Sequence, residues 1–333
     1  MHRQIRIAFI AAASLALVSS GPIRAEDAQS LKVSGTEALR GSTALTVGAF
    51  NVGFIFESTD QTQATGGLMG AFGGTTKAKS ELEGVTPEMM QAVADAAYAD
   101  FVQQLGAKGF TIGDPGAAFA APTLSKLKGE ATPAEVSIAL EKGSKGKAVF
   151  YKPAALGKLV FLPGDFTGSG FSSMGMAMSA GQASGAFAGY AKEAGQPIVD
   201  VTYLIDFSDQ KRPGAFSFGG LEVNANLSVS AKFSRMTVMG ANGKTTTVTF
   251  KSPVSVEGDF IDRNDATSGA SKTTQAAANV AGGVAAAFGF GGMRFGKTRK
   301  FAFTAKPGKY EEGAGKAASL ANGQLVDLMA TLR

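Results

Sequence analysis

The sequence predicts an α/β fold: a mixed β-sheet with flanking helices, a long antiparallel hairpin, a C-terminal helix and Gly/Ala-rich insertions. Three observations support this prediction. Residues 44–113 contain a strand, an amphipathic helix and a second strand in that order. Residues 221–250 alternate apolar and polar side chains up to a tight-turn signal and its partner strand. Residues 311–332 repeat apolar side chains at helical spacing.

The first of these segments is typical of a βαβ unit. Residues 44–58 are rich in Val, Phe and Ile and carry almost no charge, which predicts a strand. Thr86 is a suitable N-cap for a helix with Pro87 at its first position, and apolar residues recur at helical spacing up to Leu105. A short strand is predicted at 110–113. Because a helix connects the two strands, we expect them to be parallel.

The chain from 114 to 162 is richer in Pro and Gly. A short helix capped by Thr132 is predicted over 133–142. Strands are predicted at 148–152 and 158–162, and the short connection between them indicates a hairpin.

An uncharged segment rich in Gly, Ala, Ser and Met follows at 167–191. Its Gly181, Gly185 and Gly189 are spaced four apart, so they share one helix face and predict a close-packing face against another backbone. In membranes such spacing pairs helices, but this segment lacks the Leu, Ile and Val of a spanning helix. We therefore interpret it as a small-residue helix that packs against the sheet.

The second half of the chain is dominated by strands. Strict alternation over 221–233 predicts a long strand with one buried and one solvent-exposed face. The alternation shifts by one residue after Arg235, which predicts a bulge nearby. Asn242 and Gly243 form a tight-turn signal, with 246–250 as the hairpin partner. Further predicted elements are strands at 198–207 and 301–305 and a helix over 311–332.

The first 25 residues have the parts of a secretory signal. Arg3 and Arg6 precede an apolar stretch, and a polar region ends near Ala25. The apolar stretch is shorter than the roughly 20 residues that a membrane-spanning helix needs, so we expect cleavage and export to the periplasm or outer membrane, with a retained anchor as the alternative. The predicted organisation is a signal at 1–25, an N-terminal extension at 26–43, and a single α/β domain at 44–333 with flexible Gly-rich insertions near 59–85, 167–191 and 262–298.

The composition excludes several classes of catalytic site. The chain has no cysteine, and its one histidine, His2, lies in the predicted signal. The exported part therefore lacks the residues of Ser-His-Asp and Cys-His catalysis and of zinc sites built on His or Cys. No residue spacing indicates another catalytic site, so we predict no enzyme, no metal site and no cofactor. A hydrolase that uses carboxylates or lysine is the alternative.

The charge balance argues against nucleic-acid binding. Three of the 32 basic residues and none of the 27 acidic residues lie in the predicted signal, which leaves 29 basic against 27 acidic residues. Proteins that bind nucleic acids usually show a strongly basic surface. We therefore predict a protein or membrane partner and no nucleic acid.

Two motifs resemble ligand sites but lack the required context. Residues 291–298 match GxxxxGK[ST], yet a phosphate-binding loop follows a strand and opens a helix, whereas this one follows an Ala-rich segment and precedes a predicted strand. Residues 259–265, DFIDRND, offer oxygen ligands, but their spacing differs from a calcium-binding loop. We interpret the two segments as a flexible basic connection and a solvated loop.

A local basic patch is predicted near the C-terminus, interleaved with phenylalanines. In an exported protein, the anionic partners of such a patch are lipid head groups, acidic glycans or another protein. The alternative is a strand edge protected by charge. The residues of the predicted patch are Arg294, Lys297, Arg299, Lys300 and Lys306.

Several segments together resemble a known family. They are LTVGAFNVGFIFE, MMQAVADAAYADFVQQLGAKGFTIGD, PIVDVTYLIDFSD, LEVNANLSVSAKFSRMTVMGANGKTTTVTF and AGKAASLANGQLVDLMATLR. In order and pattern they resemble the α/β domain shared by the curli-secretion channel protein, the outer-membrane activators of penicillin-binding proteins and the amino-terminal domain of TolB. The resemblance implies a non-enzymatic envelope protein that acts in secretion, assembly or activation of a partner, with homo-oligomers common. A membrane-inserting oligomeric pore, in which the strand over 221–233 faces lipid, is an alternative.

Overall fold

The computed structural model describes residues 30–63, 75–139, 145–165, 171–211, 222–267 and 296–333. The strands in this part of the chain are β1 (Leu31–Ser34), β2 (Ala44–Gln63), β3 (Thr75–Glu83), β4 (Thr111–Gly113), β5 (Ala134–Ile138), β6 (Lys145–Tyr151), β7 (Ile198–Lys211), β8 (Glu222–Val229), β9 (Arg235–Met239), β10 (Thr245–Phe250), β11 (Val254–Val256), β12 (Ile261–Asp265) and β13 (Gly296–Ala305). The helices are α1 (Pro87–Ala107), α2 (Pro115–Ala120), α3 (Pro122–Ser125), α4 (Phe171–Ala194) and α5 (Lys309–Leu332). The strands join one mixed sheet with flanking helices, which confirms the predicted α/β class.

Two long parallel strands, β2 and β7, form the centre of the sheet. Their register runs from Thr46 beside Ile198 to Phe54 beside Ile205. The main order of strands is β1–β10–β9–β7–β2–β3–β13–β12. The pair β6–β5 extends from the other edge of β2, and β8 pairs with the last residues of β7. Each long strand therefore changes neighbours along its length.

Helices α1 and α5 cover one face of the sheet. Under them, the rings of Phe50 on β2 and Tyr203 on β7 meet edge to face at 5.5 Å. The buried side chain of Asn322 on α5 donates to the Ala97 carbonyl at 2.9 Å and to the Asp100 carboxylate at 2.7 Å. It also accepts a bond from the Tyr203 hydroxyl at 2.7 Å. One fully bonded amide thus fixes α5 against both α1 and the sheet.

Helix α4 covers part of the opposite face. Its buried residues Ala183, Phe187 and Ala191 pack with Ile198 of β7 and Met239 of β9. This arrangement confirms the prediction of a small-residue helix against the sheet. Within the described residues, no helix is both long enough and apolar enough to cross a membrane.

Several local predictions are confirmed. Thr86 caps α1 by accepting a bond from the Met89 amide at 3.3 Å, and β2 and β4 on either side of this helix are parallel. Strands β9 and β10 form the predicted hairpin, in which Gly243 adopts φ +74° at the turn. The C-terminal helix is α5.

The helix predicted over 133–142 is wrong. Residues 134–138 form β5, in which Val136 and Ile138 are buried and the intervening Ser137 is exposed. This two-residue period suits a strand paired with β6 better than a helix. The hairpin predicted between 148–152 and 158–162 is also wrong, because β6 pairs with β2 and β5 and the second segment forms only an isolated bridge, from Leu159 to Glu130.

The long strand predicted over 221–233 is interrupted. Strand β8 ends at Val229 beside Ile205 of β7, and β9 begins at Arg235 beside Thr202 of the same strand. The intervening residues bulge away, with Phe233 at φ +64°. The predicted shift in the alternation of apolar and polar residues is therefore present, but more than one extra residue produces it. The pore alternative, in which this strand and the Gly-rich runs face lipid, stays a prediction, but its strand is shorter than predicted.

The predicted domain limits also change. Residues 31–34 lie in the predicted N-terminal extension, yet they form β1 and pair with β10. The predicted insertions contain regular structure: the end of β2 and β3 in 59–85, α4 in 167–191, and β12 in 262–298. The predicted signal at 1–25 and the Ala/Gly-rich stretch at 273–293 lie outside the described residues.

Candidate functional site

A row of lysines crosses four adjacent strands on one face of the sheet. Lys145 of β6 lies opposite Thr59 of β2, Thr59 lies opposite Lys79 of β3, and Lys79 lies beside Lys300 of β13. Lys77 precedes Lys79 by two residues and so shares its face. Neighbouring strands are about 4.8 Å apart, so the row spans roughly 14 Å from β6 to β13. We call Lys77, Lys79, Lys145 and Lys300 the lysine row.

The lysine row is only partly neutralised. Lys77, Lys145 and Lys300 are exposed, and none of them forms a salt bridge with a described residue. Lys79 pairs with Glu81, and this hydrogen bond and the carboxylate charge raise its pKa. Like charges on neighbouring strands repel each other. Within the row, only Lys79 and Lys300 lie directly beside each other on paired strands, and Glu81 neutralises Lys79.

The structure rearranges the predicted basic patch. Lys300 belongs to the lysine row, whereas Arg299 alternates to the other face of β13, beside Ala78. Lys306 lies past the end of β13, where it pairs with Asp259 and, at 2.9 Å, with Asp262. These carboxylates neutralise it and raise its pKa, so it does not belong to an open cationic surface.

The other members of the predicted patch are not part of the observed row. Arg294 lies outside the described residues, as does the side chain of Lys297. Sequence reasoning missed Lys77 and Lys79 because the segment around them was interpreted as a loop. The alternation of KAKSELE, residues 77–83, is the signal that could have identified a strand with lysines on one face.

Helix α4 exposes an uncharged face. Met174 is 57% exposed and Met178 is 63% exposed. A side-chain carbon at Gly181 or Gly185 would meet no atom within 4 Å. Spacings of four, three and four residues place these four residues on one side of the helix. We call them the outer face of α4.

The three glycines predicted to share a close-packing face therefore differ in their surroundings. Only Gly189 packs closely within the chain, because a carbon added there would lie 3.0 Å from the Thr123 methyl group of α3. Gly181 and Gly185 face open space. Among the described residues, nothing covers their part of the predicted face.

A buried acid pair lies on the sheet face that α4 partly covers. Asn51, Thr202 and Arg235 stand in register across β2, β7 and β9. Asp200 precedes Thr202 by two residues and so shares its face. Asp165 lies over them from the loop after Leu162. Asp165 and Asp200, which we call the acid pair, are fully buried.

The loop that carries Asp165 is attached to the sheet by specific contacts. The Leu162 amide donates to Asp165 Oδ2 at 2.5 Å, and Arg235 Nε lies 3.9 Å from Asp165 Oδ1. Arg235 Nη1 also donates to the Pro163 carbonyl at 3.2 Å. Gly164 adopts φ +95°, and a side-chain carbon there would lie 1.6 Å from Arg235 Nη1. Glycine is therefore required where the loop crosses the arginine.

The electrostatics of the acid pair favour a bound proton. Burial raises the pKa of Asp165 to about 6, against the lowering effects of the Leu162 amide and the Arg235 charge. Burial, and next the charge of Asp165, raise the pKa of Asp200 well above its ordinary value. The single guanidinium of Arg235 faces two carboxyl groups. A proton on one carboxyl group makes the cluster neutral and allows the two carboxyl groups to form a hydrogen bond with each other. Because both are enclosed, the pair acts on the fold and does not contact a substrate.

Asp206 is a second carboxyl with an altered pKa, on the C-terminal half of β7. Burial raises its pKa to about 7, and the charge of Asp60 adds to this effect, although the Ser208 amide donates to Asp206 Oδ1 at 3.1 Å. General acid–base catalysis uses carboxyls that titrate near neutral pH. The alternative of a carboxylate-dependent hydrolase named no residue, and Asp206 has the raised pKa that such a residue would need.

The described parts of the two motifs that resembled ligand sites form strands and ion pairs. In DFIDRND, Asp259 and Asp262 pair with Lys306, and residues 261–265 form β12 instead of the predicted solvated loop. The described residues contain no group of three or more His, Cys, Asp or Glu that could hold a metal ion. Residues 296–298 of the GxxxxGK[ST] match begin a strand, β13, and not a helix.

Comparisons with known proteins add no identification. No protein-family model, curated protein or solved structure matches this chain. The resemblance to the curli-secretion and penicillin-binding-protein-activator family therefore remains a prediction from the pattern of segments.

Proposed function

We propose that the protein is an exported, non-enzymatic component of the cell envelope that acts in secretion, assembly or activation of a partner by self-association. The signal-like first 25 residues and the resemblance of segments support the location and the class of role. The outer face of α4 is the observation that carries the proposed mode of action.

Large apolar side chains are seldom left exposed in groups. The exposed large hydrophobic residues in the described part of the chain are Met174, Met178 and Leu320, and two of these three lie on the outer face of α4. Burying the exposed area of either methionine is worth about 2 kcal/mol. Flexible methionine side chains also adapt readily to a protein surface.

A second copy of the chain is the occupant that this face fits best. No charged residue occurs between 167 and 191, so two copies can meet here without removing a charge from water. Gly181 and Gly185 leave room for the methionines or the backbone of an opposing helix. A face that meets its own copy generates a closed two-fold dimer.

The test compares glutamate substitutions at two open glycines. Gly185→Glu places a charge on the outer face of α4, whereas Gly106→Glu makes the same change on α1, where a side-chain carbon also meets nothing within 4 Å. We expect light scattering after size exclusion to show an oligomer for the mature protein and for Gly106→Glu, and a folded monomer for Gly185→Glu. Monomeric wild-type protein at all accessible concentrations would remove the support for self-association.

The location is tested separately. Fractionation of cells that express the tagged full-length chain should recover a shortened protein in the periplasmic or outer-membrane fraction. Recovery of the full-length chain in the cytoplasm would contradict export without bearing on the dimer.

A further inference from the structure

We propose that Met174 and Met178 form an oxidation-sensitive site, at which conversion of the two thioethers to sulfoxides prevents the outer face of α4 from pairing with a second copy. The co-reactant is a two-electron oxidant such as hydrogen peroxide. This inference rests on the proposed self-association and names its regulation. Three observations support it: the exposure of the two side chains, the absence of thiols from the chain, and the residues that surround the two methionines.

Met174 and Met178 are the methionines that a dissolved oxidant can reach in the described part of the chain. They are 57% and 63% exposed and lie four residues apart on α4. An oxidant has to contact the sulfur atom, so a buried methionine reacts only after the protein opens locally. The other described methionines are partly or fully buried, and they are Met89, Met90, Met176, Met236, Met239 and Met329. Among these residues, oxidation should therefore begin on α4.

No thiol in the chain competes for the oxidant. The sequence contains no cysteine, so no thiolate can consume a peroxide before the thioethers react. The proposed export also places the protein outside the reducing cytoplasm. Exposed methionine is therefore the side chain on which a peroxide would act first.

The reaction at each sulfur is an oxygen transfer. A sulfur lone pair attacks one oxygen of hydrogen peroxide, the O–O bond breaks, and the departing hydroxide takes the proton of the transferred oxygen and leaves as water. The sulfur gains an S–O bond and is oxidised by two electrons, and the peroxide is reduced by two electrons. The product is methionine sulfoxide, so a flexible apolar side chain becomes a polar one.

The outer face of α4 cannot accommodate a sulfoxide in a dimer. A sulfoxide oxygen accepts hydrogen bonds and needs a donor once it is removed from water. The four residues of this face are two methionines and the open glycines Gly181 and Gly185, and none of them has a side-chain donor. A two-fold dimer brings the same four residues from each copy together. Its sulfoxides would therefore be buried without hydrogen-bond partners.

The expected effect is large enough to dissociate the dimer. Loss of the burial of one methionine corresponds to about a thirtyfold rise in a dissociation constant. Oxidation of both methionines should therefore raise the dissociation constant of the dimer by at least about thirtyfold. Because a dimer encloses the same sulfurs, association should in turn slow their oxidation. Their oxidation rate in the wild-type protein should fall as the protein concentration increases.

The test follows oxidation and association in the same samples of the mature protein. Hydrogen peroxide is added for increasing times, peptide mass spectrometry locates the sulfoxides, and light scattering after size exclusion measures the oligomer. We expect sulfoxides at Met174 and Met178 before any other described methionine, with dissociation in step. Circular dichroism should show that the dissociated protein keeps its helix content.

Two double variants distinguish this site from oxidative damage elsewhere. Met174→Leu with Met178→Leu keeps the apolar surface and nearly the same volume, so it should associate and stay associated in peroxide. Met174→Gln with Met178→Gln places uncharged polar groups at both positions and should be monomeric without peroxide. The matched control is Leu320→Gln, which makes the same kind of change at a similarly exposed apolar residue of α5 and should remain oligomeric.

Different results would overturn this proposal and the proposed self-association. A wild-type oligomer that persists after complete oxidation of Met174 and Met178 would overturn the oxidation-sensitive site and leave self-association intact. Dissociation of the leucine double variant in peroxide would also overturn it, because the cause would then lie at another residue. Wild-type protein that is monomeric before peroxide is added contradicts self-association, and the regulation with it. In the monomeric variant Gly185→Glu, the two methionines should oxidise at a rate that does not depend on protein concentration, and slower oxidation there than in the wild-type oligomer would contradict the proposal.

Discussion

The acid pair makes the stability of the protein depend on pH in an unusual direction. The pKa of Asp165 rises from an ordinary 3.8 to about 6 in the folded protein, and that of Asp200 rises as well. A carboxyl with a raised pKa binds its proton more tightly in the folded state than in the unfolded state. It therefore contributes stability below the unfolded pKa, and this contribution is lost as pH rises through the folded pKa.

The size of the effect can be worked from Asp165 alone. At about 1.4 kcal/mol per pKa unit, a rise from 3.8 to about 6 corresponds to roughly 3 kcal/mol lost between pH 4 and pH 7. Asp200→Asn removes one of the two carboxyls and leaves Asp165 facing Arg235 as a single ion pair. The amide can also donate a hydrogen bond to Asp165. Because burial and the charge of Asp165 raise the pKa of Asp200, we expect the variant to be more stable than wild type at pH 8 and similar to it at pH 4.

The assay is urea denaturation at a series of pH values. The relevant quantity is the difference in free energy of unfolding between variant and wild type at each pH. This difference removes the contributions of Asp206 and the other carboxyls that titrate in the same range. Asp209→Asn, at an exposed position of the same strand, is the matched control and should follow the wild-type curve. A stability difference for Asp200→Asn that is constant from pH 4 to pH 8 would refute the reasoning.

Three other variants test the fold around these sites. Gly164→Ala should lower the free energy of unfolding, measured by urea denaturation, by about 2–3 kcal/mol, because the position has positive φ and the added carbon would contact Arg235. The control Gly157→Ala, where the added carbon meets no described atom within 4 Å, should be nearly neutral. Asn322→Ala should lower the free energy of unfolding by about 3 kcal/mol in the same assay, because it leaves the buried Tyr203 hydroxyl without its partner and removes one of the two amide donors to the Asp100 carboxylate; a cost below about 1 kcal/mol would contradict the central role given to this amide. Asp206→Asn should reduce the loss of stability between about pH 4 and pH 7, as followed by thermal unfolding, and an unchanged pH profile would contradict the raised pKa.

Sequence reasoning succeeded where one local signal determines the structure. The Thr86 cap with Pro87 and helical spacing identified α1, and Asn242 with Gly243 identified the β9–β10 hairpin. It failed where pairing with another strand decides the outcome. Residues 134–138 are short and carry a helix-like cap, but β6 offers them a hydrogen-bonding edge, and burial of Val136 and Ile138 then favours a strand.

The candidate sites were harder to predict than the elements because each combines residues from separate strands. Lys145, Lys79 and Lys300 become neighbours only through the register of β6, β2, β3 and β13. Asp165 and Asp200 meet only because the loop after Leu162 folds over β7. The local spacing that reveals a capping box or a metal-binding motif is absent from such sites. The outer face of α4 was anticipated only in part: the glycine spacing placed Gly181 and Gly185 on one helix face, but Met174 and Met178 were not part of that prediction.

The two faces of the sheet use polar groups in opposite ways. Under α1 and α5, Asn322 has partners for its donors and its acceptor, and the amide that joins these layers does not titrate. Under the loop that contains Asp165, the carboxyls outnumber the cation, so the loop is held best when a proton is present. A loop that loses part of its stability at neutral pH is the segment expected to open first in local unfolding. In the sequence this loop precedes α4, so the free energy of local unfolding of α4 should depend on Asp200. The free energy of local unfolding of α5 should not.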